Sequence, residues 1–204
     1  MHDIRRLVLA SQSPRRSELL RQAGFEFTIS PLQISEIPDE NLNLQDQIRG
    51  LAREKAIACL NSGKVPKGRG NLLLSADTVV VLDGQILGKP ENRLENAHYL
   101  GRLSGRVHSV ITGVCLLDVD SGLEAIGHET SEIEFRALSA VEIEAYCATG
   151  DGLDKAGGYG IQSPIAEAFV ARTSGARDNI VGLPIALVEK LLSENGWNVE
   201  RHRK

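Results

Sequence analysis

Apolar positions along the chain come in short runs separated by polar, glycine-bearing or proline-bearing segments, and their spacing predicts strands alternating with helices. "RLVLAS" (6–11) is a continuous apolar run of strand length. Ser13 and Pro14 then read as the cap and first turn of a helix closed at Gly24. "FEFTIS" (25–30) alternates like a strand, the following stretch to about residue 43 is polar and irregular, and a helix is predicted near 45–62. On that helix Ile48, Ala52 and Cys59 share one face, and Lys55 falls near its middle, which aims a cation inward or into a cleft. "NLLLSADTVVVL" (71–82) is a strand interrupted by Asp77 and Thr78, Asp83-Gly84 suits a two-residue hairpin turn, and a short return strand ends at Gly88.

The second half continues the alternation. "NRLENAHYLGRLSG" (92–105) reads as a helix stopped at Gly105, and 107–118 and 123–138 read as paired long strands. Ser139 and Glu142 form a capping-box pattern before a helix that ends at Gly150. A glycine-rich segment, "GDGLDKAGGYGIQ" (150–162), follows, then "NIVGLP" (179–184) and a last helix, "PIALVEKLLSENG" (184–196). The terminal "RHRK" reads as a frayed basic tail. No repeat or low-complexity linker intervenes, and the alternation argues a mixed α/β protein.

Composition narrows this picture. The 204 residues are 42% hydrophobic and 25% charged, enough for a substantial core in one globular unit spanning 1–204. Lys and Arg total 23 against 27 Asp and Glu, a formal charge of -4, so an extended nucleic-acid surface is not indicated and any anion site must be local. The N-terminal apolar run is too short for a signal peptide, and no stretch of about 18 apolar residues predicts a membrane span. Cys59, Cys115 and Cys147 lie far apart in apolar or helical contexts without metal spacing. They read as core thiols of a cytoplasmic protein.

Local chemistry concentrates in a few places. A strand feeding a helix N-terminus presents free N–H groups and the positive end of a helix dipole, and here Ser11, Ser13, Arg15 and Arg16 are added. Ser13 as a plain cap with solvated arginines is the bland alternative; two arginines in a first turn oppose the dipole, which favours an anion site. Asp77, within an apolar strand, either serves a site as a base or ties a turn, and this stretch alone leaves both open. Lys89 and Lys155 sit among glycines that permit close backbone approach. With Lys55 they supply cations able to converge with Asp77, Glu36 and Asp154, the mixture that a metal-assisted phosphate reaction needs. His108 is structural or at a site edge, and no histidine has zinc spacing.

"LASQSPRRSELL", "RGLAREKA", "SADTVVVLDGQILGKP", "LSGRVHSVITGV", "FRALSAVEIEAY", "LDKAGGYGIQ" and "NIVGLP", in this order and over nearly the whole chain, resemble the Maf family of nucleotide pyrophosphatases. The resemblance implies an α/β fold like the inosine triphosphatases, with a mixed, twisted sheet flanked by helices and two lobes around a deep cleft, commonly dimeric. It implies hydrolysis of a nucleoside triphosphate to the monophosphate and pyrophosphate with Mg2+ or Mn2+. Matched by motif, Asp77 is the general base; Ser11, Arg15, Arg16, Lys55, Thr78, Lys89, Asp154, Lys155 and Gln162 are substrate contacts; Glu36 and Asp77 are metal ligands. Relatives usually have Asp before the position of Glu36, where this chain has Ser35. Arg15, Thr78 and Gln162 match the branch resembling dTTP/UTP pyrophosphatases, whereas a 7-methyl-GTP-type relative would show other residues around Asp77 and Lys155. After Gln162 the family usually continues with Gly, but here Ser163-Pro164 follow, a departure that bears on the base-recognition loop and leaves the phosphate chemistry intact. A house-cleaning pyrophosphatase for modified nucleotides and a nucleotide-binding regulator of cell division are the alternative functions.

Overall fold

The computed structural model describes residues 4–31, 41–66 and 69–202. The elements run β1 (Ile4–Leu9), α1 (Pro14–Gln22), β2 (Phe27–Ile29), α2 (Leu44–Asn61), β3 (Asn71–Leu82), β4 (Gln85–Leu87), α3 (Arg93–Leu103), β5 (Val107–Asp118), β6 (Glu124–Phe135) and α4 (Ala140–Thr149). A 3-10 turn (Ala156–Gly158), α5 (Pro164–Glu167), β7 (Val170–Ser174), α6 (Arg177–Val181), α7 (Ile185–Glu194) and β8 (Asn198–Val199) complete the chain. One eight-stranded sheet has the order β2-β1-β3-β5-β6-β7, with β4 on β3 and β8 on β1. It is mixed: β1 pairs in parallel with β2, β3 and β8, while β3–β4 and β6–β7 are antiparallel. The α/β class and the mixed sheet flanked by helices agree with the sequence.

Two compact units form. The first comprises residues 1–77, 112–129 and 182–204; the second comprises 78–111 and 130–181. In the first unit, alternation along each strand divides the apolar residues between two cores. Leu7, Leu9, Leu72, Leu74, Val114 and Leu116 pack with Leu20 of α1 and Val188 and Leu192 of α7. Val8, Ala10, Leu73, Cys115 and Leu117 pack with Ala52, Ala56 and Cys59 of α2. Strands covered on both faces need hydrocarbon at every position, which is why their sequences read as unbroken apolar runs. In the second unit Val80, Leu82, Val110, Ile133 and Phe135 form one core with Leu100, Leu103, Tyr146, Tyr159 and Phe169.

Most local signals hold. Asp83 (φ 53°) and Gly84 (φ 76°) make the hairpin turn with both central residues left-handed. Ser139 and Glu142 form both halves of the capping box on α4, and Gly150 ends that helix at φ 73°. Two expectations are corrected. Ser13 occupies the cap position of α1, yet its side chain makes no capping hydrogen bond, while its own N–H donates to the Ser11 hydroxyl (3.1 Å). The tail is not frayed at Arg201 and His202. Arg201 bridges to Phe25 and stacks its guanidinium 4.1 Å from that ring, and the His202 N–H donates to the Gly24 carbonyl (2.9 Å).

Candidate active site

Strand alternation decides where the polar residues of β3 point. Leu72, Leu74 and Ala76 belong to the core beneath α1 and α7, so Leu73, Ser75 and Asp77 face α2. Helical periodicity brings Ala52 and Lys55 onto the facing side of α2. The Ser75 hydroxyl accordingly donates to the Ala52 carbonyl (2.6 Å), and about one turn later the Lys55 ammonium donates to Asp77 Oδ1. Both side chains are largely enclosed, 15% and 5% exposed. Asp77 therefore sits inside a twelve-residue strand, in a buried ion pair, which rejects the turn-tying alternative. The close seat of α2 depends on Gly113 of β5, since a Cβ there would run into the Ile48 carbonyl.

The loop after β1 lies beside this pair. β1 and β3 are in parallel register, Leu9 opposite Leu74, and the Ala10 N–H continues the ladder to the Leu74 carbonyl (2.8 Å). Ser11 and Asp77 consequently both lie just beyond that point, past the carboxyl end of β1 and midway along β3. β1 also has β2 on its other side, so the chain leaves β1 in one direction through α1 and returns in the other through α2. In an open α/β sheet such a reversal opens a crevice at the strands' carboxyl ends, where ligands bind. Ser11 is 6% exposed and accepts from the Ser13 N–H and from Arg16 Nη1 (3.3 Å). With both lone pairs receiving donors, its own proton is what it can offer a ligand. Arg16 Nε donates to the Gly182 carbonyl (2.8 Å), so "NIVGLP" anchors the guanidinium. Arg15, half-buried, occupies the same first turn. The region is a helix N-terminus with a buried hydroxyl and two guanidiniums, suited to oxyanions. A separate recess of about 400 Å³, walled by Arg6, Arg21, Phe27, Glu200 and His202, contains neither Asp77 nor Lys55.

Thr78, Lys89, Asp154, Lys155 and Gln162 belong to the second unit. The Gly157 N–H donates to the Gly88 carbonyl (2.9 Å), which ties the glycine-rich segment to the residue before exposed Lys89. Buried Asn96 holds the Gly158 carbonyl (2.6 Å). The Lys155 ammonium reaches Asp154 Oδ1 at 2.7 Å and Asp151 Oδ1 at 3.0 Å. Asp154 thus engages the Lys155 ammonium. Gln162 is exposed and precedes Ser163, the cap-position residue of α5. His108 is structural: its Nε2 lies 2.7 Å from the Tyr159 hydroxyl, among the rings of Phe135 and Tyr159, and burial pushes it down to about 4. Glu36 lies outside the described residues. Sequence reasoning passed over Asp151, which binds Lys155, and Tyr146, which binds Asp151. A carboxylate four residues before a lysine was the available signal for Asp151, and nothing marked Tyr146.

The family description "Maf-like protein" fits residues 6–195. A dTTP/UTP pyrophosphatase from Bdellovibrio bacteriovorus is 47% identical over 188 residues, 92% of this chain and 97% of that protein. One from Moorella thermoacetica is 44% identical over 195 residues, covering 95% and 97%. A nucleoside-triphosphatase / dITP/XTP pyrophosphatase from Mycobacterium abscessus overlaps 64% of this chain and 74% of its own at 15% identity and a TM-score of 0.41, too loose to bear on residue roles.

Proposed function

The chain belongs to the Maf family, and from that premise we propose that it hydrolyses nucleoside triphosphates, dTTP and UTP foremost, to the monophosphate and pyrophosphate. The observation that carries the reading is the buried Lys55–Asp77 pair midway along β3, just past the point where its parallel neighbour β1 ends and turns into α1. Similar proteins that bear the name dTTP/UTP pyrophosphatase, matched over nearly their full length, support the substrate.

Lys55 fixes Asp77 through one carboxylate oxygen, and the other is the acceptor for the proton of a water that attacks the α-phosphorus. Ser11, Arg15, Arg16 and the N–H groups opening α1 hold phosphate oxygens, and charge on the departing pyrophosphate is stabilised there as it develops. Thr78, Lys89, Lys155 and Gln162 are further substrate contacts on the resemblance, with Asp154 acting through Lys155. Gln162 reads the pyrimidine edge, since a site built to hydrogen-bond one base leaves polar groups unpaired with another.

A divalent cation fits Asp77 in one particular way. Among the described residues no three His, Cys, Asp or Glu side chains gather, so the donors suit Mg2+ or Mn2+ held by one or two carboxylates and by substrate phosphates. Asp77 and Glu36 would hold it, and when bound it supplies charge neutralisation at the phosphates. No helix among the described residues is long and apolar enough to cross a membrane. A cytoplasmic homodimer with no nucleic-acid partner completes the proposal, and sedimentation analysis checks the dimer.

The test is a turnover panel of dTTP, UTP, CTP and GTP with Mg2+, run on wild type and Asp77→Asn. dTTP and UTP lead in the wild type, and Asp77→Asn, still folded, loses about 100-fold or more in kcat. Equal rates for all four nucleotides reject the pyrimidine assignment, and wild-type turnover by the variant removes Asp77 from the role.

A further inference from the structure

Three acceptors surround the Lys155 ammonium: the Asp151 backbone carbonyl, Asp151 Oδ1 at 3.0 Å and Asp154 Oδ1 at 2.7 Å. An ammonium carries three N–H donors, so all are engaged. The acceptors differ in how firmly they are held. Asp151 supplies two, and its Oδ2 accepts from the Tyr146 hydroxyl at 3.2 Å. That phenol also accepts from the Gly160 N–H at 3.2 Å, and Tyr146 is wholly buried in the core beside Phe169. Residues 151 and 160 of the glycine-rich segment are therefore tied through one buried oxygen. Gly160 closes the arrangement from the other side, because a Cβ there would stand 2.6 Å from Lys155 Cε. The third acceptor belongs to Asp154, whose side chain is 69% exposed. Exposed carboxylate–ammonium pairs are weak and readily exchanged.

We propose that Asp151 and Tyr146 are a positioning pair that fixes the Lys155 ammonium, and that Asp154 is its exchangeable partner, whose place a phosphate oxygen of the substrate takes. The inference rests on the reading of Lys155 as a substrate contact, and neither Asp151 nor Tyr146 touches substrate in it. A fixed ammonium with one displaceable partner is already placed for its ligand, so binding costs less ordering of the side chain. Asp151 has the electrostatics of a permanent partner. Burial raises its carboxyl, but the Lys155 hydrogen bond and charge, the Tyr146 hydroxyl and, least of all, the Ser163 hydroxyl outweigh it and hold the group below the ordinary aspartate range. Ser163 does not cap α5.

The two aspartates flank the same lysine yet carry opposite expectations. Steady-state turnover of dTTP and UTP with Mg2+, calorimetric binding of inorganic pyrophosphate, and thermal melting are measured on wild type, Asp151→Asn, Asp151→Glu, Tyr146→Phe and Asp154→Asn. Asp151→Asn raises KM and the pyrophosphate Kd about tenfold, the worth of a hydrogen bond to a charged group, with a smaller change in kcat. Asp151→Glu recovers part of this. Tyr146→Phe, which keeps the buried ring, shifts KM and Kd in the same direction by roughly threefold. Asp154→Asn lowers both by roughly threefold, the size of an exposed pair relieved of competition. Wild-type KM and Kd in both Asp151→Asn and Tyr146→Phe overturn the positioning pair, and Asp154→Asn weakening both constants as far as Asp151→Asn does overturns the exchange. If Asp151→Asn fails to fold, Tyr146→Phe decides the pair. Pyrophosphate binding without hydrolysis of any nucleotide overturns the hydrolase reading while the Kd series still decides this one, and absence of both overturns the two together.

Discussion

At the scale of single residues, Lys55 and Asp77 share an ion pair that is nearly closed to solvent. Removing one partner of such a pair strands a buried charge, whereas removing both strands none. Lys55→Met is therefore expected to lose roughly 3 kcal/mol of unfolding free energy in urea. The double variant Lys55→Met/Asp77→Asn loses less than the sum of the singles, with a coupling of about 1 kcal/mol or more. Additive losses would show that the two side chains do not stabilise each other. His108 makes a pH prediction. Its imidazole, held at about 4 by burial, takes up a proton in the unfolded chain before it does so in the folded one. Stability from this group is complete above about pH 6.5, falls as pH drops from there toward 4, and changes no further below, a span of about 3 kcal/mol. Urea midpoints for wild type and His108→Gln therefore converge as pH falls from 7 to 4.5. A constant gap over that range would exclude His108 as the source.

At the scale of elements, two glycines make opposite predictions because their surroundings differ. Gly113 on β5 lies under the backbone of α2 at Ile48, and a methyl group there collides with a carbonyl that has no rotamer to escape into. Gly113→Ala is expected to cost about 1–3 kcal/mol and to lower kcat, because the helix that moves aside carries Lys55. Gly101 lies inside α3, exposed, with no atom within 4 Å of the place a methyl group would take. Gly101→Ala should stabilise by about 1 kcal/mol through helix propensity and leave turnover as it was. Thermal melts of the two variants check both signs. Elements of this length were legible because each shows many turns of one period: the face of Ile48, Ala52 and Cys59 was enough to locate Lys55. The segment Pro164–Val181, by contrast, holds pieces of four or five residues, α5, β7 and α6, too short to display any period. Ser13 misled for a similar reason, since a cap position can be read locally but whether the hydroxyl turns to the helix is settled by the folded loop.

At the scale of the molecule, long-range pairings are where the sequence fell silent. That the Lys55 ammonium would point inward could be read from its place on an apolar helix face, but that it would meet Asp77 depended on the seating of α2 against β3. Tyr146 and Asp151 had no such pattern, because a buried phenol bridging two loop ends looks like any core tyrosine until the loop is folded. Cysteine usage was legible: Cys59, Cys115 and Cys147 are all buried and free. Burial pushes the Cys115 thiol up to about 12, far from the thiolate that alkylating reagents need. The folded protein should resist iodoacetamide at pH 8, react fully once unfolded in urea, and melt at the same temperature with and without a thiol reductant. Rapid labelling of the native chain would contradict this burial.

Gly113 gives an engineer of this enzyme a rule. Replacing strand glycines is an ordinary route to a sturdier catalyst, and here one of them must be exempt. The seat of the helix that brings Lys55 to Asp77 depends on leaving out a single carbon from a strand behind it, so a library that diversifies only the proposed site residues would never reveal what seats them.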